Sequence, residues 1–210
     1  MYFRLPRIYP LTDAQLSGLS HAEQIRLLSL GGATLIQLRE KRSSAMQFYE
    51  AAVAAAEQSR AQLIINDRVD IAMAIGAQGV HLGQNDLSPE AARRLLGDAA
   101  IIGYSTHSVG QAQQALTQPI DYIAIGPIFE TATKSDTSPT LGLEGLRAVR
   151  KAVGDVPLVA IGGISHANAC AVIEAGADSV AVISALLSDP DKITETTRAL
   201  LQSIPPSRQT

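Results

Sequence analysis

The feature that most constrains the fold is a phrase repeated eight times: a short apolar run, a polar or glycine-rich cluster, then a helical pattern. The apolar runs cover residues 7–13, 34–40, 63–68, 79–83, 100–106, 121–127, 157–163 and 179–187. Alternating strands and helices predict parallel strands joined by right-handed crossovers. Because no linker interrupts the eight units, they favour an α/β fold closed as a single (β/α)8 TIM barrel over the alternative of an open, doubly wound sheet.

The domain organisation follows from this repeat. Residues 1–204 are expected to form one barrel domain, and residues 205–210, which begin with two prolines, a disordered tail. One connection, residues 128–141, has neither a helical nor a strand period and exceeds the two to six residues usual for such loops. In a barrel it would leave the carboxyl end of a strand, where active sites lie, so we expect a lid or substrate loop.

Three stretches carry helix signals. Residues 45–60 are rich in alanine, and Ser88 followed by Pro89 is typical of a capped helix start. Residues 165–177 predict a helix with Ser165 as its N-cap and a glycine, Gly176, just past its end.

Composition excludes several classes of function. Seventeen Lys and Arg against twenty Asp and Glu give a net charge of −3 and a pI near 5.8, without basic blocks. This balance argues against binding of nucleic acid or an anionic membrane. The one cysteine, Cys170, cannot form an internal disulfide, no apolar run reaches about 18 residues, and the N-terminus lacks the apolar core of a signal peptide. We expect a cytoplasmic protein with small-molecule partners; nothing in the sequence indicates an oligomeric state.

Polar side chains follow the second strand. Gln37, Arg39 and Lys41 share one strand face because side chains alternate with period 2, and in a barrel they would point into its mouth. Two neighbouring cations are costly unless an anion or water meets them. They predict an anion site or, alternatively, a solvated charge cluster at a strand end.

Carboxylates and amides end the next two strands. Asn66 and Asp67 close the third apolar run, and Asp86 follows the fourth. Two carboxylates from adjacent strand ends suit Mg²⁺, which takes few carboxylates and leaves its other positions to water and phosphate. Alternatively, Asp67 caps the following helix and Asp86 supports a turn.

Further candidates lie around the same face. Ser105 and His107 end the fifth strand, but without a carboxylate-oriented histidine they indicate no nucleophilic triad. His81 is interpreted as a hydrogen-bonded core histidine, and His21 as a helix-start residue without chemistry. Lys134, in the long loop, could bind an anion.

Strands seven and eight predict a separate phosphate site. Gly162 and Gly163 precede a predicted Ser-capped helix, and Ile183 and Ser184 end strand eight. Glycine backbone and helix-start amides after these strands form the common phosphate site of barrels. A phosphate site beside a cluster of cations and acids indicates two anionic substrates, one of them a metal-bound pyrophosphate ester.

The ordered motifs Q-L-R-E-K, I-N-D-R, V-H-L-G-Q-x-D, G-x-S-x-H, G-P-I-x-x-T-x-T-K, G-G-I and V-I-S-A resemble the thiamine phosphate synthase family over about residues 7–187. The resemblance implies a (β/α)8 barrel that joins hydroxymethylpyrimidine diphosphate to a thiazole phosphate, releasing pyrophosphate. It implies pyrimidine diphosphate contacts at Gln37, Leu38, Arg39, Glu40, Lys41, Asn66, Ser105 and Lys134; Mg²⁺ ligands at Asp67 and Asp86; and thiazole phosphate contacts at Thr131, Ala132, Thr133, Gly163, Ile183 and Ser184. Asn85 departs from the family pattern, which often has a second acid there.

The expected chemistry is a dissociative displacement. Mg²⁺, Arg39, Lys41 and Lys134 would stabilise the departing pyrophosphate, with Ser105 beside them, and no general base is required. Two alternatives stay open: a related thiazole tautomerase that uses His107 as its acid–base group, and a non-catalytic sensor of phosphate ligands.

Overall fold

The computed structural model describes residues 4–131 and 139–205, which contain eight strands joined in one parallel sheet. The strands are β1 (Ile8–Pro10), β2 (Leu35–Leu38), β3 (Gln62–Asn66), β4 (Gly79–Leu82), β5 (Ile101–Thr106), β6 (Tyr122–Ile125), β7 (Leu158–Ile161) and β8 (Ser179–Val182). Each predicted apolar run coincides with one strand.

Helices follow the strands around the outside. They are α1 (Ala14–Ser17), α2 (His21–Leu30), α3 (Ala45–Gln58), α4 (Val69–Ile75), α5 (Pro89–Leu96), α6 (Val109–Ala115), α7 (Gly142–Val153), α8 (Ala169–Glu174), α9 (Ser184–Leu187) and α10 (Ile193–Ser203). A 3₁₀ turn, Pro190–Lys192, precedes α10.

The sheet closes on itself between β1 and β2. Its strand order is β1-β8-β7-β6-β5-β4-β3-β2, so these two strands are its ends. A parallel bridge pairs Leu11 with Gln37, and the Thr12 N–H donates to the Gln37 carbonyl at 2.9 Å. The predicted (β/α)8 barrel is confirmed, and the alternative of an open sheet is wrong.

Strand β2 shows how the two faces are used. Ile36 and Leu38 are fully buried in the layer between the sheet and the helices. Gln37 alternates with them and lies in the barrel interior, 2% exposed. Because all eight strands are parallel, their carboxyl ends lie on the same face of the barrel. The polar residues that follow the strands meet on that face.

All three predicted helices are present, and Gly176 lies just past the end of the third with a positive φ, but one predicted N-cap is wrong. Helix α3 lies within residues 45–60, and Ser88 accepts the Ala91 N–H at 3.3 Å at the start of α5. The predicted Ser165 cap is wrong, because α8 begins only at Ala169. Residues 165–168 form a turn instead, in which the Ser165 N–H donates to the Asn168 side chain at 2.8 Å.

Within the described ranges, 4–131 and 139–205, no helix is both long and apolar enough to cross a membrane.

Candidate active site

A cavity of about 840 Å³ opens at the carboxyl ends of the strands. It brings together most of the side chains predicted for the diphosphate end of the site. Those lining it are Gln37, Arg39, Glu40, Lys41, Asn66, Asp67, Asp86 and Ser105; His107 lines it as well. Residues far apart in the sequence converge here because parallel strands all end at one face.

The two cations predicted for the anion site, Arg39 and Lys41, are already paired with carboxylates, whereas Arg42 donates to the Gln15 side-chain oxygen. Arg39 Nη1 lies 3.4 Å from Asp13 Oδ2, and Lys41 Nζ forms an ion pair with Asp67. Asp13 also accepts the N–H groups of Gln15 and Leu16 at the start of α1. Sequence reasoning missed Asp13, which lies at the end of the first apolar run and caps the short helix that follows.

Asp67 and Asp86 lie together, as the sequence predicted for adjacent strand ends. Burial raises the pKa of Asp67 above its ordinary value; the Lys41 ammonium opposes this rise, and the neighbouring Asp86 carboxyl adds to it. Asp67 also adopts a left-handed backbone, with φ of 63°, which is unusual for a residue other than glycine. A carboxylate held in this way beside a second one is suited to a cation.

The sequence left open structural roles for these two acids, a helix cap for Asp67 and a turn for Asp86, and the structure shows only the second. Asp67 does not cap α4, whose N-cap is Arg68, without a side-chain hydrogen bond. Asp86 does support its turn, since its Oδ2 accepts the Gly83 N–H at 2.7 Å. Among the residues that the structure describes, no three His, Cys, Asp or Glu side chains cluster as a metal site. Two carboxylates with substrate phosphate still suffice for Mg²⁺.

Three buried polar atoms at the cavity have no hydrogen-bond partner within the described part of the chain: Gln37 Oε1, Asn66 Nδ2 and Arg39 Nε. Leaving such atoms unpaired costs about 1–3 kcal/mol each. One acceptor, Gln37 Oε1, and two donors, Asn66 Nδ2 and Arg39 Nε, could therefore form hydrogen bonds with a bound ligand.

Glu40 lines the cavity, but the chain itself uses its carboxylate. Oε1 accepts the N–H groups of Lys41 and Arg42, both at 2.7 Å, and Oε2 lies 3.2 Å from His21 Nε2. Although burial alone would raise it, these N–H and imidazole contacts lower the pKa of Glu40. The other His21 nitrogen lies 2.8 Å from Thr12 Oγ1. His21, interpreted from the sequence as lacking chemistry, holds the segment that carries the cations.

Leu38 belongs to the same motif but faces away. Its side chain is fully buried in the layer between sheet and helices, so only its backbone is near the cavity. A role in substrate binding through its side chain does not fit this placement.

The fifth strand contributes Ser105 and His107. Ser105 Oγ lies 2.8 Å from His81 Nε2, which agrees with the interpretation of His81 as a hydrogen-bonded interior residue. His107 Nδ1 lies 2.7 Å from the Gly126 carbonyl and therefore carries the proton.

A second pocket, of about 740 Å³, adjoins the first. Thr131, Gly163 and Ser184 line it, and Ile183 joins them in a smaller recess. Asp13 and Gln15 line both large cavities, so the two are neighbours on one face.

The glycine pair has a packing role that the sequence did not reveal. Gly162 and Gly163 have φ of 104° and 62°, and a Cβ at Gly163 would lie 2.4 Å from the Glu130 carbonyl oxygen. The pair lets the connection after β6 pass close to the end of β7. The helix predicted after the pair is present as α8 but lacks the predicted Ser165 cap, and α9 begins at Ser184 after β8.

The remaining predicted contacts, Ala132, Thr133 and Lys134, lie outside the described residues, as does most of the predicted tail.

Fold and site together define a (β/α)8-barrel enzyme with a cavity lined by cations and carboxylates. The adjoining pocket is lined by glycine, serine and threonine together with three carboxylates. Residues 8–186 match the protein family described as thiamine monophosphate synthase. The chain therefore belongs to the thiamine monophosphate synthase family, a family of transferases in thiamine biosynthesis, and the resemblance carried by its ordered motifs is confirmed.

Individual relatives agree with this assignment. The chain is 46% identical over 198 residues to the thiamine-phosphate synthase of Chloroflexus aurantiacus, covering 92% of this chain and 90% of that one. It is 47% identical over 196 residues to that of Koribacter versatilis, with coverage of 89% and 92%. The solved thiamine phosphate pyrophosphorylase of Pyrococcus furiosus superposes with a TM-score of 0.84 at 36% identity, covering 94% of each chain.

Proposed function

We propose that this protein joins 4-amino-2-methyl-5-hydroxymethylpyrimidine diphosphate to a thiazole phosphate, forming thiamine phosphate and releasing pyrophosphate. The observation that carries the proposal is the pairing of two unlike sites on one barrel face. One holds three cations among four carboxylates, together with unpartnered amide atoms. The other, among its described residues, offers glycine, serine and threonine beside three carboxylates and no cation. Two anionic substrates that react with each other account for both.

The amides fit the pyrimidine ring. Gln37 Oε1 is an unpaired acceptor that suits an exocyclic amino group, and Asn66 Nδ2 is an unpaired donor that suits a ring nitrogen. Both side chains are almost fully buried, so an aminopyrimidine would satisfy atoms that water reaches poorly.

The cations fit the diphosphate. Arg39 and Lys41 lie beside Asp13 and Asp67, and an incoming diphosphate offers them a stronger anion than one carboxylate each. Lys134, which the family resemblance places at the same end, would add a third cation.

The acid pair fits Mg²⁺. Asp67 and Asp86 would hold it, and bound Mg²⁺ would neutralise charge on the leaving pyrophosphate. Burial raises the pKa of Asp67 and repulsion from the Asp86 carboxyl adds to the rise; a bound cation would relieve that repulsion.

The pocket at Gly163 and Ser184 fits the second substrate. We assign to it the thiazole phosphate, with Ile183 and Thr131 alongside; the family resemblance adds Ala132 and Thr133 to this substrate. The backbone of Gly163 and the start of α9 at Ser184 would supply N–H donors to the phosphate oxygens.

The chemistry needs no general base. The bond between the pyrimidine methylene carbon and the diphosphate oxygen breaks, and its electron pair leaves with pyrophosphate. The electron-rich aminopyrimidine stabilises the resulting carbocation, and the thiazole nitrogen lone pair then forms the new C–N bond. Arg39 and Lys41 stabilise the departing charge, and Ser105 lies where it can orient the pyrimidine side.

The partners of this activity are small molecules, and we propose that it takes place in the cytoplasm, which the single cysteine supports.

The test is to incubate purified protein with both substrates and Mg²⁺ and to measure thiamine phosphate and pyrophosphate. We expect equimolar products that disappear with chelator and fall on the order of 10²-fold in Arg39→Met. Arg94→Met, which removes an exposed guanidinium on α5 away from the cavities, serves as the matched control. Absence of both products, with proton exchange on a thiazole carboxylate phosphate that His107→Asn abolishes, would instead identify the tautomerase.

A further inference from the structure

A chain of hydrogen bonds crosses the barrel interior at the inner wall of the cavity. Gln37 Nε2 donates to the Tyr9 hydroxyl at 3.0 Å, which lies 2.9 Å from the Tyr122 hydroxyl. Tyr122 in turn lies 2.9 Å from His81 Nδ1, and His81 Nε2 lies 2.8 Å from Ser105 Oγ. The chain therefore links β2 to β5 through β1, β6 and β4. Gln37 and Ser105, its two ends, line the cavity, as do Tyr9 and His81 between them.

The interior is built around this chain. The Tyr122 ring stacks on His81 at 5.6 Å and meets the Tyr9 ring edge-on at 5.9 Å. Gly103 makes room for it, because a Cβ at that position would lie 2.0 Å from Tyr122 Cζ. Burial also raises the pKa values of both tyrosines, so both hydroxyls keep their protons.

Each hydroxyl has one hydrogen to donate, so the direction at one link sets the direction at the next. If Gln37 donates through Nε2, Tyr9 donates to Tyr122, Tyr122 to His81 Nδ1, and His81 Nε2–H to Ser105. The Ser105 hydrogen is then directed to a ligand. If the Gln37 amide were rotated so that Oε1 faced Tyr9, the donor and acceptor at every link would exchange. Gln37 would then present a donor to the ligand, and Ser105 would present an acceptor.

The structure has the first direction, since the unpartnered atom of Gln37 is its acceptor, Oε1. We infer that Tyr9 and Tyr122 are positioning residues that fix His81 as the Nε2–H tautomer, so that Gln37 presents an acceptor and Ser105 a donor to the pyrimidine substrate. The two contacts are coupled across the barrel through this chain. This coupling selects a ligand with a donor on one side and an acceptor on the other.

The first test needs no substrate. In protein labelled with ¹⁵N-histidine, long-range proton–nitrogen spectra distinguish the two neutral tautomers, and His81→Gln identifies the His81 signals among the four histidines. We expect a protonated Nε2 and an acceptor Nδ1, whose shift changes in Tyr122→Phe. The opposite tautomer, or a ring protonated on both nitrogens, would overturn the inference whatever reaction the protein catalyses.

The second test rests on the proposed function and uses the kinetics of thiamine phosphate formation. Tyr122→Phe and Tyr9→Phe should each lower kcat/KM for the pyrimidine diphosphate about tenfold, the effect of one disturbed buried hydrogen bond. The KM for thiazole phosphate should stay within about twofold, the usual error of additivity between separate sites. Tyr104→Phe, which removes a hydroxyl on the outer face of the same barrel, is the control and should match wild type.

The double variant separates a coupled chain from two independent structural roles. Because either change breaks the same chain, Tyr9→Phe with Tyr122→Phe should lose about as much as the larger single change. If the two losses in kcat/KM multiply in the double variant, or if both substrates are affected equally, the tyrosines support the barrel without setting hydrogen-bond direction.

Discussion

Replacing Asp67 by Asn separates a metal-binding role from a structural one, because the two roles predict opposite outcomes. Asn has nearly the same shape and tolerates the left-handed backbone at φ of 63°, whereas Ala there would add roughly 1–2 kcal/mol of backbone strain. Asp67→Asn therefore removes one charge and changes little else. The matched variant is Asp70→Asn, at an exposed carboxylate on α4.

The stability effect can be worked out from the site. The substitution loses the ion pair with Lys41, whose side chain is 47% exposed, and an exposed pair of this kind contributes about 0–1 kcal/mol. It also removes a carboxylate whose pKa is raised by burial and, further, by Asp86. A raised pKa means that the folded protein binds this proton more tightly than the unfolded chain does. The contribution of Asp67 to stability is therefore greatest in acid and declines as pH rises through the raised pKa. At neutral pH these effects nearly cancel, and the Tm should be unchanged or slightly higher.

Activity should respond quite differently. Loss of an electrostatic contact that acts on the leaving group typically lowers kcat on the order of 10²-fold or more. The assay compares Tm and Mg²⁺-dependent turnover for Asp67→Asn, Asp70→Asn and wild type. A second measurement follows the shift in Tm as Mg²⁺ is added together with pyrophosphate. This shift should vanish in Asp67→Asn. A lower Tm with near-normal turnover would refute the metal role. So would full activity of wild type after chelation.

Three further predictions concern other parts of the barrel. Ser184→Asp places a negative charge at the start of α9, which favours the helix but opposes a bound phosphate. The KM for thiazole phosphate should rise about tenfold or more without loss of Tm, whereas Ser184→Ala should change this KM little. His21→Ala leaves the Glu40 carboxylate short of one partner and should cost about 1–3 kcal/mol in urea unfolding, with a raised KM for pyrimidine diphosphate only. Gly103→Ala should cost about 1–3 kcal/mol or more in the same assay, because its Cβ overlaps the Tyr122 ring, and unchanged stability would show that the ring is placed elsewhere.

The barrel could be predicted because its signal repeats along the chain, and an error in one unit leaves the other seven. Residues such as Asn66 and Asp67 could also be placed, because position at a strand end fixes the face on which they lie. Asp13 could not be assigned, since an Asp before a helix is read as a cap, which it also is. That it faces Arg39 depends on closure between β1 and β2, a contact that no local pattern encodes. The Tyr9–Tyr122 chain was missed for the same reason, as its members come from strands that are distant in sequence.

The pairing of the cations with carboxylates in this structure answers why two neighbouring positive charges are tolerated at the end of β2. Asp13 and Asp67 neutralise Arg39 and Lys41, and Glu40 and His21 hold the segment that carries them. A diphosphate that enters must exchange with these carboxylates, so part of its binding energy goes into breaking two ion pairs. The exchange is favourable for Asp67 only if another cation takes over that carboxylate, which Mg²⁺ held with Asp86 would do. Diphosphate and metal binding are therefore expected to be cooperative, because each supplies the countercharge that the other leaves unpaired.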